Sequence, residues 1–312
     1  MKYPKFLEKG DTIGVTALSS GTSDVITIVK KSFNNLKKDY HLIVTPNVYG
    51  ERIVSSDIDT RIKELNDILD EDIKFLFNVR GGDYLSETLD RIDYQKIVHK
   101  NIWLEGYSDI TNLLYILTTK YDLATIYGLN AKSYDNDVLE EYQLNNLEIM
   151  KGNLVKQISF SDRMIEATSK HIDTNGIMIG GCLDTIRYLF GTSFDNTKDF
   201  INKYQDKKII WYFDIFSMSS IDTYMTLLQM KRMGYFKYTD TLIVGSVCYP
   251  NVQCDLDFFE AFKKVFNQNI IYNAPIGHVK PIFTIINGSM GYIKYENGVL
   301  SLEMELLNEN NG

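Results

Sequence analysis

Ile102-Trp103-Leu104-Glu105-Gly106-Tyr107-Ser108-Asp109-Ile110-Thr111 runs from an apolar strand, through a tight turn, into a helical pattern that reaches residue 119. Leu113, Leu114 and Leu117 share one face of that helix. The same strand–turn–helix unit recurs upstream. Thr12-Ile13-Gly14-Val15-Thr16-Ala17-Leu18 reads as a buried strand closed by Ser19-Ser20-Gly21-Thr22-Ser23, with a helix over 25–36. Residues 41–45 and 75–79 read as further strands, with helices over 61–69 and from about Tyr84. Strands alternating with helices at this spacing predict a doubly wound parallel sheet.

Residues 134–170 are polar and irregular and read as a linker with a helical portion over 138–150. Beyond it, strands are expected at 176–180, 209–213, 241–247 and 270–272, with a helix over 183–190. Apolar runs at 291–294 and 299–306 flank Glu296-Asn297-Gly298, and an Asn-Gly between such runs is a strong hairpin signal. The expected architecture is an α/β chain of two domains. Residues 1–133 form a doubly wound parallel-sheet domain, 134–172 a linker, and 173–312 a smaller, β-rich α/β domain.

The 312 residues carry 33 Lys+Arg against 41 Asp+Glu, a net charge of −8, with a pI near 5.1. So acidic a chain lacks the basic surface that a nucleic-acid backbone requires. Three cysteines do not make a disulfide scaffold, and no histidine stands near any of them at metal-ligand spacing in the sequence. No apolar run has the length of a bilayer span, and Met1-Lys2-Tyr3-Pro4-Lys5 leads into no signal core. The expected setting is the cytoplasm, away from membranes.

Four local patterns hold candidate chemistry. Ser108 sits on a strand-to-helix turn, where a hydroxyl is pushed out beside helix N-terminal N–H groups; Ser108 or Asp109 could equally cap the helix. Arg80-Gly81-Gly82 leaves a strand with paired glycines that permit close backbone approach, or an ordinary turn. His278 lies on the Pro-flanked stretch Pro275-Ile276-Gly277-His278-Val279-Lys280-Pro281, where a nucleophilic serine would need a base. Asp214 ends the strand Ile209-Ile210-Trp211-Tyr212-Phe213 and either orients a histidine or caps the next helix. Cys182, in Gly180-Gly181-Cys182-Leu183-Asp184, reads as a small buried residue.

Taken in order, these pieces resemble the LD-carboxypeptidase family of serine peptidases, which includes murein tetrapeptide carboxypeptidases and microcin C immunity peptidases. The likeness begins at Lys9-Gly10-Asp11-Thr12-Ile13-Gly14-Val15 and passes through Arg61, Arg80-Gly81-Gly82 and residues 89–94. Gly106-Tyr107-Ser108-Asp109-Ile110-Thr111 matches the nucleophile motif residue for residue. Gly180-Gly181, residues 189–192, Gly277-His278 and Ile286-Asn287-Gly288 match later signatures.

The resemblance implies an active site in a cleft between the domains, with Ser108 as nucleophile, His278 as general base and Asp214 as the acid. It implies an oxyanion held by the N–H groups of Asp109 and the Gly81-Gly82 turn. A free substrate carboxylate needs a cationic or N–H-rich partner, and Arg80 is the candidate. The resemblance also implies a homodimer and no metal or organic cofactor. The reaction would release terminal D-alanine from a small peptide or muropeptide by cleaving an L,D-amide. The alternatives are an immunity-type peptidase acting on peptidyl or aminoacyl nucleotides and a catalytically weakened peptide-binding homologue. The chain departs from the family in three places: Asp214 or, in a shifted register, Phe213 stands for glutamate, Cys182 for asparagine, and Thr223 for arginine.

Overall fold

A computed structural model describes residues 1–153, 156–160 and 163–307. The described residues form two compact units, one spanning Met1–Asn153 and taking in Leu306 and Leu307, the other lying within Leu154–Glu305.

In the first unit, β1 (Thr12–Thr16), β2 (His41–Val44), β3 (Phe75–Asn78), β4 (Trp103–Gly106) and β5 (Thr125–Tyr127) are parallel, in the order β2-β1-β3-β4-β5. Between them run α1 (Ile26–Leu36), α2 (Ile58–Asp70), α3 (Tyr94–Lys100) and α4 (Thr111–Tyr121), and α5 (Glu141–Met150) follows β5. α2 shows why such helices form here. The Asp57 carboxylate accepts the Thr60 N–H at 2.9 Å, and Ile62, Leu65, Ile68 and Leu69 are buried on one side. Each such side chain, fully buried, stabilises the fold by about 1.5–3 kcal/mol.

Strand order reverses between β1 and β3. Open α/β sheets bind ligands beyond the carboxyl ends of their strands at such a switch point. Ser19 follows β1, Gly81 follows β3 and Ser108 follows β4. The doubly wound parallel sheet is as the sequence predicts, with β5 as an additional short strand and a 3₁₀ segment, Leu85–Arg91, where a helix is expected.

Residues 134–153, expected in the linker, belong to the first unit. Tyr134 is fully buried with its ring 6.1 Å from that of Phe77, and the Asn35 amide donates to the Tyr134 and Asn136 carbonyls. Asn146 donates to the buried Glu105 at 2.6 Å. These polar residues are tethers, so polarity here does not mean a free linker. Four residues of the expected linker, 154, 155, 161 and 162, lie outside the described residues, as do 308–312 of the expected second domain.

The second unit holds β6 (Gln157–Ile158), β7 (Glu166–Ala167), β8 (His171–Cys182), β9 (Ile209–Asp214), β10 (Thr239–Gly245), β11 (Asn269–Ala274), β12 (Ile285–Asn287), β13 (Met290–Glu296) and β14 (Val299–Met304). Its helices are α6 (Leu183–Ile186), α7 (Thr197–Lys203), α8 (Ser220–Arg232) and α9 (Phe258–Val265). The mixed sheet runs β6-β14-β13-β8-β9-β10-β11-β7. β8, β9, β10 and β11 are parallel, and the strands on both flanks are antiparallel. Asn297 and Gly298 both have positive φ, 48° and 93°, which closes the expected hairpin between β13 and β14. The helix expected over 183–190 stops at Ile186 and continues as turns.

Candidate active site

The first unit places Ser108 where β4 gives way to α4. Tyr107 is extended, Ser108 has φ +71°, and a 3₁₀ turn over Ser108–Ile110 leads into the helix. A left-handed serine costs on the order of 1–3 kcal/mol, a strain that tight packing on both sides sustains. Tyr107 and Asp109 are buried while Ser108 is half-exposed, so the turn presents only the serine. The Thr111 hydroxyl donates to the Ser108 carbonyl and braces the turn. A β-carbon at Gly81 would collide with the Ser108 Cβ and Oγ and lie 3.5 Å from the Asp109 N–H. Only glycine lets the loop after β3 lie directly against this serine.

The second unit assembles an acid–base pair. Asp214 is the last residue of β9 and is fully buried. His278 Nδ1 lies 2.6 Å from Asp214 Oδ2, and the His278 backbone N–H donates to Oδ1 at 3.3 Å. The carboxylate thus grips both the ring and the main chain of the histidine. Gly277 has φ +88°, and a β-carbon there would fall on the Asp214 carboxyl group. The imidazole is also flanked by Phe216, ring centroids 4.5 Å apart, and Phe216 in turn meets Tyr249 edge-on at 5.1 Å. The Asp184 carboxylate orders the segment carrying Phe216 by accepting the N–H groups of Phe216, Ser217 and Met218 at 2.8–2.9 Å.

Two family models cover the sequence: the LD-carboxypeptidase N-terminal domain over residues 13–128 and the LD-carboxypeptidase C-terminal domain over 175–293. The chain belongs to the LD-carboxypeptidase family. It is a hydrolase of the peptidase class. Among its relatives, YocD of Bacillus subtilis, a carboxypeptidase by name, is 25% identical over 95% of this chain and 97% of its own. RC0549 of Rickettsia conorii, also a carboxypeptidase by name, is 28% identical over 76% and 74% of the two chains. The fold matches the microcin C7 self-immunity protein MccF in complex with aspartyl sulfamoyl adenosine, with a TM-score of 0.82 and 18% identity over 99% and 100% of the chains. It matches muramoyltetrapeptide carboxypeptidase from Oxalobacter formigenes with a TM-score of 0.78 and 18% identity over 94% and 98%.

In this LD-carboxypeptidase family member the remaining expected residues fall into different roles. The Arg80 guanidinium donates to the Gly21 carbonyl at 3.2 Å and to Asp24 at 2.7 Å. A substrate carboxylate would have to compete with Asp24 for it. Asp109 does more than carry an N–H. Its side chain accepts from Ser19 Oγ at 2.7 Å and from the Leu85 N–H at 2.8 Å, and Ser19 Oγ accepts the Tyr84 N–H at 3.0 Å. The residue after Ser108 is therefore tied to the loop that bears Gly81 and Gly82. Arg61, fully buried, braces the same loop by donating to the Leu18 and Tyr84 carbonyls at 3.0 Å while pairing with Glu87.

Sequence reading passes over Ser19, Asp184 and Phe216. Ser19 stands in the quoted stretch that closes the first strand and Asp184 two residues beyond Cys182, where an acid after a Gly-Gly turn is the available signal.

Burial pushes the Asp109 carboxyl up to about 6 despite its hydrogen bonds to Ser19 and Leu85. An ordinary aspartate titrates near 3.8, so between these values the folded chain holds a proton that the unfolded chain has lost. Stability falls as pH rises through that window, by roughly 3 kcal/mol from this one group. Glu105, fully buried and also held well above its usual range by burial, acts with the same sign. Asp109→Asn should flatten the difference in urea unfolding free energy between pH 4 and pH 7. An unchanged slope would remove Asp109 as its source.

Proposed function

We propose that the protein is a serine carboxypeptidase that cleaves an L,D-amide and releases D-alanine from muropeptides. The observation that carries this reading is the buried Asp214–His278 pair at 2.6 Å in a chain that also holds Ser108 on a strained strand-to-helix elbow. Ser108 attacks the carbonyl, and His278 takes its proton and returns it to the leaving amine. Asp214 orients the imidazole and stabilises its cation. The N–H groups of Asp109 and the Gly81-Gly82 turn receive the oxyanion. The reading places the protein in the cytoplasm as a homodimer. Among the described residues no helix is long and apolar enough to cross a membrane, which fits that placement.

The test is mass spectrometry of L-Ala-γ-D-Glu-L-Lys-D-Ala and its diaminopimelate counterpart after incubation with the protein. Loss of one D-alanine is expected from both or one of them, and persistence of both peptides overturns the reading.

One observation favours a second reading, an immunity-type peptidase acting on aminoacyl nucleotides. Phe216, beside the exposed Tyr249, gives His278 an aromatic neighbour on which a nucleobase would stack. The structure of MccF with aspartyl sulfamoyl adenosine supports including that ligand class in the test. Faster cleavage of an aminoacyl sulfamoyl adenosine than of either tetrapeptide would replace the first reading by the second.

A further inference from the structure

β8 and β9 run parallel with Cys182 opposite Asp214, each the last residue of its strand. In a parallel pair, residues in register project to the same side of the sheet, so the thiol and the carboxylate are neighbours. His278 reaches the same point from 64 residues beyond Asp214. Cys182 Sγ, a carboxylate oxygen of Asp214 and an imidazole nitrogen of His278 all lie within 4.8 Å of one another. Among the described residues no other group of three or more His, Cys, Asp or Glu side chains converges in this way.

We propose that Cys182, Asp214 and His278 form an inhibitory site for a thiophilic divalent cation, of which Zn²⁺ is the best match. The donor set is one sulfur, one imidazole nitrogen and one carboxylate oxygen, with a fourth position left for water. Zinc accepts all three at 2.0–2.3 Å, which sets donors around one tetrahedral ion roughly 3.3–3.6 Å apart. The three side chains need to close by about an ångström at most, and the 2.6 Å gap between His278 and Asp214 needs to open by somewhat less. Thiolate and carboxylate cancel the charge of the ion, so the filled site is neutral in a place where Cys182 and Asp214 are buried. The His278 side chain, 10% exposed, is the way in.

On binding, the thiol proton leaves to solvent and the imidazole proton passes through solvent from Nδ1 to Nε2, so the ring binds the ion as a neutral imidazole and no bond other than these is broken. The ion then occupies the imidazole and the carboxylate together. That consequence for turnover depends on His278 and Asp214 acting as proposed above, whereas the binding itself does not. Cys248 is a competing thiol close enough to feel the Asp214 and Asp184 carboxylates. Burial, together with the Asp214 and Asp184 carboxylates, pushes it up, which keeps it protonated and a poor ligand.

The experiment titrates chelator-stripped protein with Co²⁺ alone and follows the thiolate-to-cobalt charge-transfer band in the near ultraviolet. One band per chain is expected in wild type and in Cys248→Ala, displaced by stoichiometric Zn²⁺ and absent in Cys182→Ser. Cys182→Ala serves if the serine variant does not fold, as judged by circular dichroism. In D-alanine release, zinc inhibition should reverse with a chelator and require at least about tenfold more zinc in the Cys182 variant. A wild type without the band, or a band that survives loss of Cys182, overturns the site. If the band behaves as stated but zinc leaves turnover unchanged, the assignment of His278 and Asp214 to catalysis fails and the metal site stands.

Discussion

Ser108→Ala should abolish the proposed D-alanine release and leave the chain folded. The Ser108 hydroxyl is the half-exposed nucleophilic group of the turn: Tyr107, Asp109 and Thr111 are buried, the Thr111 hydroxyl donates to the Ser108 carbonyl, and Gly81 has no side chain. Losing a nucleophile that acts as one unit with its base costs on the order of 10⁴- to 10⁶-fold in kcat. Stability should stay within about 1 kcal/mol of wild type, because alanine inherits the same left-handed backbone and loses one half-exposed oxygen. Ser108→Gly separates the two effects. It is equally inactive, but it relieves the φ of +71° and should raise the unfolding free energy by on the order of 1 kcal/mol. Turnover by mass spectrometry, with labelling of wild-type Ser108 by a fluorophosphonate, reads out the first effect, and urea unfolding the second. Activity of Ser108→Ala within tenfold of wild type would remove Ser108 as the nucleophile.

The parts of this chain that were legible in its sequence are those governed by local pattern. β1, β3 and β4 are short apolar runs bounded by glycine and serine, and they stand within a residue or two of where the pattern puts them. The Asn-Gly hairpin forms because both residues tolerate positive φ. Ser108, Asp214 and His278 were legible as candidates because each ends a strand or sits on a loop after one.

What escaped depends on contacts between distant segments. The polar stretch from Tyr134 to Asn153 looks like linker, yet Asn35, Ser133 and Glu105 turn its amides into anchors. α6 spans only four residues, and Asp184 in its first turn serves a distant segment by accepting the N–H groups of Phe216 to Met218 as a loop clamp. Cys182 shows the same limit. No histidine stands near it in sequence, and the β8–β9 register and the His278 loop bring one to it.

Asp214→Asn should lower kcat by about 10⁴-fold with KM little changed, since an amide cannot hold the imidazole in the tautomer that accepts the serine proton. Asp214→Glu is the sharper test. Beside the family's usual glutamate, the aspartate looks one methylene too short to serve. The structure gives a reason why it is the right length here. Gly277 carries no β-carbon, and the space a β-carbon would take is filled by the Asp214 carboxyl group. The loop therefore comes close enough for the shorter acid to reach Nδ1 at 2.6 Å and the His278 N–H at 3.3 Å.

A glutamate in that fully buried position overfills the site, at a cost of about 1–3 kcal/mol in stability. It also displaces the imidazole, and a shift of about 1 Å costs on the order of a hundredfold in rate. Gly277→Ala pushes on the same contact from the other side, with the added strain of φ +88°, and should lose activity to a similar degree. Thermal unfolding and kcat measured on Asp214→Glu and Gly277→Ala decide the matter. A glutamate variant faster than wild type would mean that the natural acid is compromised and that the weakened, peptide-binding reading is the correct one.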